Sequence, residues 1–248
     1  MNERRTQSGV TLIELLIAIT LMSLLAVGML MAMRVGLDAM NKSDARLMSN
    51  RKVTSVERIL EQQVAGIMPV TAECQGASDQ PRTTIAFFQG ESQSMRFAST
   101  FSLHEGARGA PMILEYQVIP GENGVGVRLV VNERIYTGAR GAGQTCSGMQ
   151  TEAFGGPAPQ FLPIQIGPGS FVLADKLAYC RFSFRELAPP ATPPPPPKWF
   201  PIWTKSVLPD AIRIDMGPLN PEPARLQLLP LTIPVHITRR TLEPYVND

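Results

Sequence analysis

Few residues in this 248-residue chain have the type and spacing that chemistry requires. It holds two histidines, His104 and His236, and three cysteines, Cys74, Cys146 and Cys180. No two cysteines form a Cys-x-x-Cys pair, and nothing has the close spacing of a zinc site. There is no Gly-x-Ser-x-Gly elbow and no His-Glu-x-x-His helix. Two histidines far apart leave few general bases near neutral pH. No Asp-x-Asp-x-Asp loop marks a calcium site. Asp210 and Asp215 read as solvated charges on a surface strand. Gly124-x-Gly126 and the stretch from Gly138 to Gly143 lack the lysine and the strand-to-helix setting of a phosphate cradle, so both read as loops. The expectation is a protein with no catalytic residues, no metal and no cofactor.

One acid stands apart. A polar leader carrying Arg4 and Arg5 ends at Gly9, and an apolar run follows from Val10 to Met33. Glu14 is the only charge in that run. A carboxylate at the centre of a membrane helix costs about 2.5–3.5 kcal/mol on insertion scales. A plain anchor has no use for it, whereas a helix that must find a charged partner inside the membrane does. The run is too long for a secretory signal core and lacks the small-residue cleavage pattern. Its length suits an uncleaved anchor, but an anchor leaves Gly9 and Glu14 without a role.

Ser8-Gly9-Val10-Thr11-Leu12-Ile13-Glu14 resembles the processing site of type IV pilins and type II secretion pseudopilins. The resemblance implies that prepilin peptidase cuts after Gly9, removes residues 1–9 and methylates the new N-terminus at Val10. It also implies that Glu14, the fifth residue of the mature chain, pairs with the N-terminal amine of a neighbouring subunit. The family usually has phenylalanine where this chain has Val10. Lysine and arginine flank both sides of the span, so charge counting does not orient it. The resemblance implies a single-pass protein of the bacterial inner membrane with its main domain in the periplasm.

The elements that position these residues follow from periodicity. Formal net charge is +2, with no basic block of the kind that binds nucleic acid. The 23 prolines and 20 glycines disfavour long helices beyond the first. No proline interrupts the chain before Pro69, and Val53, Val56, Leu60, Val64 and Ile67 step by three and four. One helix is predicted from Val10 to Met68, with a transmembrane half over 10–33 and an amphipathic half over 34–68. Residues 69–248 are predicted to form one β-rich domain, giving an α+β, pilin-like ladle fold with a mostly antiparallel sheet. Residues 71–82 read as a loop. Hairpins are expected for Thr83–Phe88 with Ser94–Phe101 and for Met112–Ile119 with Val125–Asn132. Residues 137–170 read as irregular, the one region large enough for a ligand groove were this an adhesin. Further strands are expected at Lys176–Phe184, Ile212–Met216 and, at a sheet margin, Leu226–Ile237. The proline run in residues 188–198 reads as a stiff exposed loop, and Trp199 and Trp203 as core covers. For the cysteines two readings stand: one disulfide with one thiol left over, its pairing open, or three separate buried thiols.

The tail narrows the resemblance. Phe88-x-Gly90-Glu91 before Met95-Arg96-Phe97, and Leu208-Pro209-x-Ala211-Ile212-Arg213-Ile214 after a tryptophan stretch, look like J-type minor pseudopilins of type II secretion. That implies partners among I-, K- and H-type minor pseudopilins in a tip complex, the major pseudopilin and the inner-membrane assembly platform. A W-type minor pilin of the type IV pilus shares the same helix and a similar domain, and is the alternative.

Overall fold

The computed structural model describes residues 10–75, 81–151, 157–187, 195–205, 207–221 and 230–237. The chain divides into two compact units, residues 1–51 and 52–248. In the first, helix α1 (Leu12–Ala65) begins and runs with every described side chain from Val10 to Met48 exposed. Its two hydroxyl side chains within the apolar stretch turn inward on their own helix. Thr20 donates to the Ile17 carbonyl at 2.9 Å and Ser23 to the Ile19 carbonyl at 2.7 Å, which leaves the helix surface apolar.

In the second unit the last turns of α1 bury Val56, Leu60, Gln63 and Val64. The helix ends at Ala65, not at Pro69 as expected. Gly66 lies against a strand, where an added Cβ would come within 2.7 Å of the Ser99 hydroxyl. Ile67 and Met68 then leave the helix and pair with Ser99 and Ala98 as strand β1. Ile67 is buried as the periodicity implied, but from a strand.

Among the described residues the main sheet has nine strands. Its path runs β1 (Ile67–Met68), β5 (Ser94–Ser102), β6 (Ala107–Pro120), β7 (Val127–Ile135), β10 (Phe171–Arg185), β12 (Ala211–Pro218) and β13 (Leu231–Pro234), with every pairing antiparallel. β4 (Phe88–Gly90) adds to β5, and β11 (Trp199–Phe200) to β10. The layout is α+β: a long N-terminal apolar helix and a mostly antiparallel β domain. Of the two expected hairpins, β6–β7 forms as read. In the other, β5 takes β4 as its neighbour, because Thr83–Ala86 is used elsewhere.

Thr83–Ala86 (β3) pairs with Thr71–Cys74 (β2) in a separate two-stranded sheet, so the first part of the expected 71–82 loop is a strand, and residues 76–80 lie outside the described residues. The described part of residues 137–170 is likewise more regular than expected. They hold a short helix α2 (Ala139–Gly143) and a hairpin of β8 (Cys146–Thr151) with β9 (Pro157–Phe161). Composition hid both, since β9 carries Pro157 and Pro159. Most of the proline run (residues 188–194), and the first part of the expected last strand (residues 226–229), lie outside the described residues. β13 is the margin of the main path.

The main core packs Leu60 and Val64 of α1 against Phe97, Leu114, Tyr116, Phe182, Phe184 and Ile214. Trp203 is buried in it, with its indole N–H donating to the Val207 carbonyl at 2.7 Å. Trp199 is half-buried, under the Arg185 guanidinium at 5.7 Å. Gly90 is required here: a Cβ would meet the Phe184 ring at 2.7 Å and Trp203 at 2.9 Å.

Candidate functional site

Val10 and Thr11 precede the helix, and Gly9 lies outside the described residues. Thr11 caps the helix, since the Glu14 N–H points at its hydroxyl at 3.4 Å and the Leu15 N–H donates to its carbonyl at 3.2 Å. Thr-x-x-Glu is the sequence form of a capping box, and a carboxylate in the first turn complements the positive end of the helix dipole. Glu14 is exposed and forms no ion pair among the described residues. The uncharged run Leu15–Met33 that follows is about 28 Å long at 1.5 Å per residue, close to the ~30 Å hydrocarbon core of a bilayer. α1 is long and apolar enough to cross a membrane.

The other end of the helix is seated by a polar lock that sequence reading missed. Gln63 is fully buried. Its side-chain oxygen accepts from the Tyr116 hydroxyl, and its side-chain nitrogen donates to the Glu133 carboxylate at 3.1 Å. Glu133 also accepts from the Ser102 hydroxyl at 2.9 Å and from the backbone N–H groups of Leu103 and His104 at 2.6 and 3.2 Å. The last carbonyls of a helix have no intrahelical partner. Here strand β5 supplies them: Ser99 donates its hydroxyl to the Gln63 carbonyl at 2.8 Å, and the Thr100 N–H donates to the Gly66 carbonyl at 2.9 Å. Burial first, and then the Glu133 charge, raises the Tyr116 phenol well above its ordinary range, which keeps it a donor. The one signal in sequence was an amide inside an apolar stripe, next to Val64.

A buried ion pair braces the same sheet. Arg96 donates to Glu115 at 2.9 Å, to the Gln89 side chain at 2.7 Å and to the Leu162 carbonyl at 3.1 Å. Burial lowers the Arg96 pKa, and Glu115 opposes that shift. Asp210 is not the solvated charge expected of it. Arg185 grips its carboxylate at 2.6 and 2.8 Å, and the residue is half-buried. Asp215 accepts from the Tyr179 hydroxyl at 3.4 Å.

Cys74 and Cys146 form a disulfide across a sequence separation of 72. It ties β2 to β8, and so joins the two small sheets. Cys180 is free and buried in the main core, and burial, with Asp215 adding, pushes its thiol up to about 12. His104 and His236 are both exposed, one in the β5–β6 connection and the other after the marginal strand β13. Among the described residues no group of three or more His, Cys, Asp or Glu could hold a metal.

Comparison with known proteins bears on the first of these features. Residues 4–30 match the model of the prokaryotic N-terminal methylation motif. No curated protein and no solved structure matches the chain. The matched segment contains Gly9, Val10 and Glu14, and the motif implies processing by a prepilin peptidase, membrane anchoring and assembly into pilus-like structures. The match supports a type IV pilin-like or pseudopilin protein.

Proposed function

We propose that this protein is a J-type minor pseudopilin of a type II secretion system, a non-enzymatic subunit that primes pseudopilus assembly at the tip. Prepilin peptidase removes residues 1–9 and methylates Val10. The globular unit then faces the periplasm. Glu14 guides docking, because an unpaired acid at membrane depth is costly and the amine of another subunit relieves that cost. I-, K- and H-type minor pseudopilins, the major pseudopilin and the inner-membrane platform are the partners in this reading.

The observation that carries the proposal is the start of α1: a Thr11-capped helix with its lone acid in the first turn, followed by an uncharged run of membrane length. The J-type assignment draws support from a second one. The two stretches that carry that resemblance pack together. Phe88 contacts the Phe184 ring edge-on, Gly90 accepts from the Trp203 N–H at 2.8 Å, and Ile212 pairs with Phe184.

The first test is the intact mass of the chain expressed with and without prepilin peptidase. Loss of residues 1–9 plus one methyl group is expected; an unprocessed chain beside an active control overturns the reading. The second compares Glu14→Ala with Glu14→Gln. Glutamine keeps the capping-box residue type but drops the charge. Both variants should insert in the membrane and fail to support secretion. Normal secretion by Glu14→Gln would mean that Glu14 acts through the helix cap and not through a charge pair. A chain that restores piliation instead of secretion is a W-type minor pilin.

A further inference from the structure

A cleft of about 570 Å³ opens between β3, β9 and the loop carrying Trp203. That volume falls within the ~300–1,000 Å³ of ordinary binding sites. Phe88, Phe161, Trp203 and the exposed Ile202 give it an apolar lining, and all four residues of β3 form one wall.

Among the described residues the wall is an open strand edge. The Phe87 N–H donates to the Val70 carbonyl at 2.9 Å, in the same register that pairs Thr71–Cys74 with Thr83–Ala86. Hydrogen-bonded pairs alternate along an antiparallel ladder. Ala72 with Ile85, and Cys74 with Thr83, are therefore the bonded pairs. Two contacts on β2 agree with this parity. The Thr71 carbonyl turns away from β3 to accept from the Tyr136 hydroxyl at 3.1 Å, and the Glu73 backbone faces Gly143 of α2. On β3 the N–H and C=O groups of Thr84 and Ala86 must then point outward, toward the cleft. Among the described residues they have no partner.

Proteins protect such edges with charge or proline. β9, the opposite wall, carries Pro157 and Pro159, and β13 ends in Pro234. β3 is Thr83-Thr84-Ile85-Ala86, with neither. An edge of this kind takes an extended chain. The cleft also states a charge preference. Its lysine, Lys205, is already paired with Glu186 and lies over Trp203 at 5.5 Å. Its carboxylate, Glu91, is exposed, accepts from the neutral Gln89 and Ser94 side chains, each at 2.8 Å, and forms no ion pair among the described residues; the buried Arg96 guanidinium reaches it only through space and through Gln89.

We propose that this cleft binds an extended segment of a partner protein as an added strand on β3, with apolar side chains against Phe88, Phe161 and Trp203 and a basic side chain toward Glu91. The inference rests on the edge geometry and is independent of the filament reading, so the mass and Glu14 tests can fail without touching it.

The test uses the full chain in detergent micelles and a short synthetic peptide alternating valine and arginine. Saturable binding is expected, with Thr84 and Ala86 amides newly protected from hydrogen exchange. Thr84→Pro removes an outward N–H and leaves the β2–β3 ladder intact, so it should weaken binding about tenfold. N-methylation of the peptide should do the same at every second amide only, which tests the edge even if Thr84→Pro fails to fold. A valine–glutamate peptide should bind less well, and Glu91→Gln should erase that difference. Absence of saturable binding, or binding indifferent to Thr84→Pro and to N-methylation, overturns the proposal. Concentration-dependent protection of Thr84 and Ala86 without peptide would give the edge to a second copy of this chain and overturn it as well.

Discussion

Replacing Gln63 with leucine tests whether the end of α1 is held by the polar lock or by apolar packing alone. Leucine conserves most of the volume, so packing changes little. The Glu133 carboxylate keeps three other donors, from Ser102, Leu103 and His104, and loses one charge-assisted bond, about 1.5 kcal/mol. The Tyr116 hydroxyl is fully buried and loses its acceptor. An orphaned donor there costs about 1–3 kcal/mol. The single variant should therefore lose roughly 3 kcal/mol. Tyr116→Phe alone strands the Gln63 side-chain oxygen and should cost about 1.5 kcal/mol. In the double variant both partners are gone and no buried group is orphaned, so the loss should be about 2 kcal/mol, well short of the sum of the singles. Both tryptophans lie in the second unit. Guanidinium unfolding of the full chain in micelles, followed by their fluorescence, reports on it. If the double variant costs the sum of the two singles, the lock does not exist as a coupled unit and packing carries the joint.

Breaking the Cys74–Cys146 bond with Cys146→Ser frees a 72-residue span, which chain-entropy arguments put at about 4 kcal/mol. Unfolding midpoints with and without reductant should differ for the parent chain and coincide for the variant. Gly66→Ala should cost about 1–3 kcal/mol, because its Cβ would press on Ser99 and Thr100 at 2.7 and 3.1 Å; an unchanged midpoint would contradict the close approach. Cys180, raised to about 12 from 9.0, favours folding while both states are protonated. That stability is intact below about pH 9 and is lost as pH rises toward 12. Cys180→Ala should flatten stability between pH 9 and 10, below the range where Tyr116 adds its own slope. Glu115→Gln leaves Arg96 buried without its counter-ion and should cost about 3–5 kcal/mol, whereas Arg96→Met with Glu115→Leu should recover much of it, measured by the same denaturation.

Local signals explain which parts of the fold were legible. Val56, Leu60 and Val64 repeat at helical spacing, so α1 and its buried face follow from period alone. The β6–β7 hairpin is announced by Pro120-Gly121-Glu122-Asn123-Gly124, where Asn123 and Gly124 adopt positive φ. The helix end was misplaced because Pro69 is the louder signal, while Gly66 acts through its close approach to Ser99 and Thr100, more than thirty residues away. β2 and β9 were missed for a related reason. β2 is polar and followed in sequence by Gly76, Ser78, Asp79 and Pro81, residue types that favour turns, and β9 holds two prolines. Each is a strand only because a partner and the Cys74–Cys146 bond hold it there.

The site divides along the same line. Gly9, Val10 and Glu14 fall within the short window matched by the methylation motif, and a helix cap needs only Thr11 and Glu14 three residues apart. Everything at that end of α1 is local, and a motif can carry it. The seat at the other end joins Gln63 to Tyr116 across 53 residues and to Glu133 across 70. No window contains it, and each residue alone is an ordinary amide, phenol or acid. The open edge of β3 is further removed from sequence, since it depends on the parity of a ladder: shifting the bonded pairs by one residue would turn Thr84 and Ala86 inward and close the edge. Chemistry that acts on the chain as a substrate is thus written in consecutive residues. What holds the folded unit together, and what its open edge offers, is written in register and long-range pairing, and only the fold discloses it.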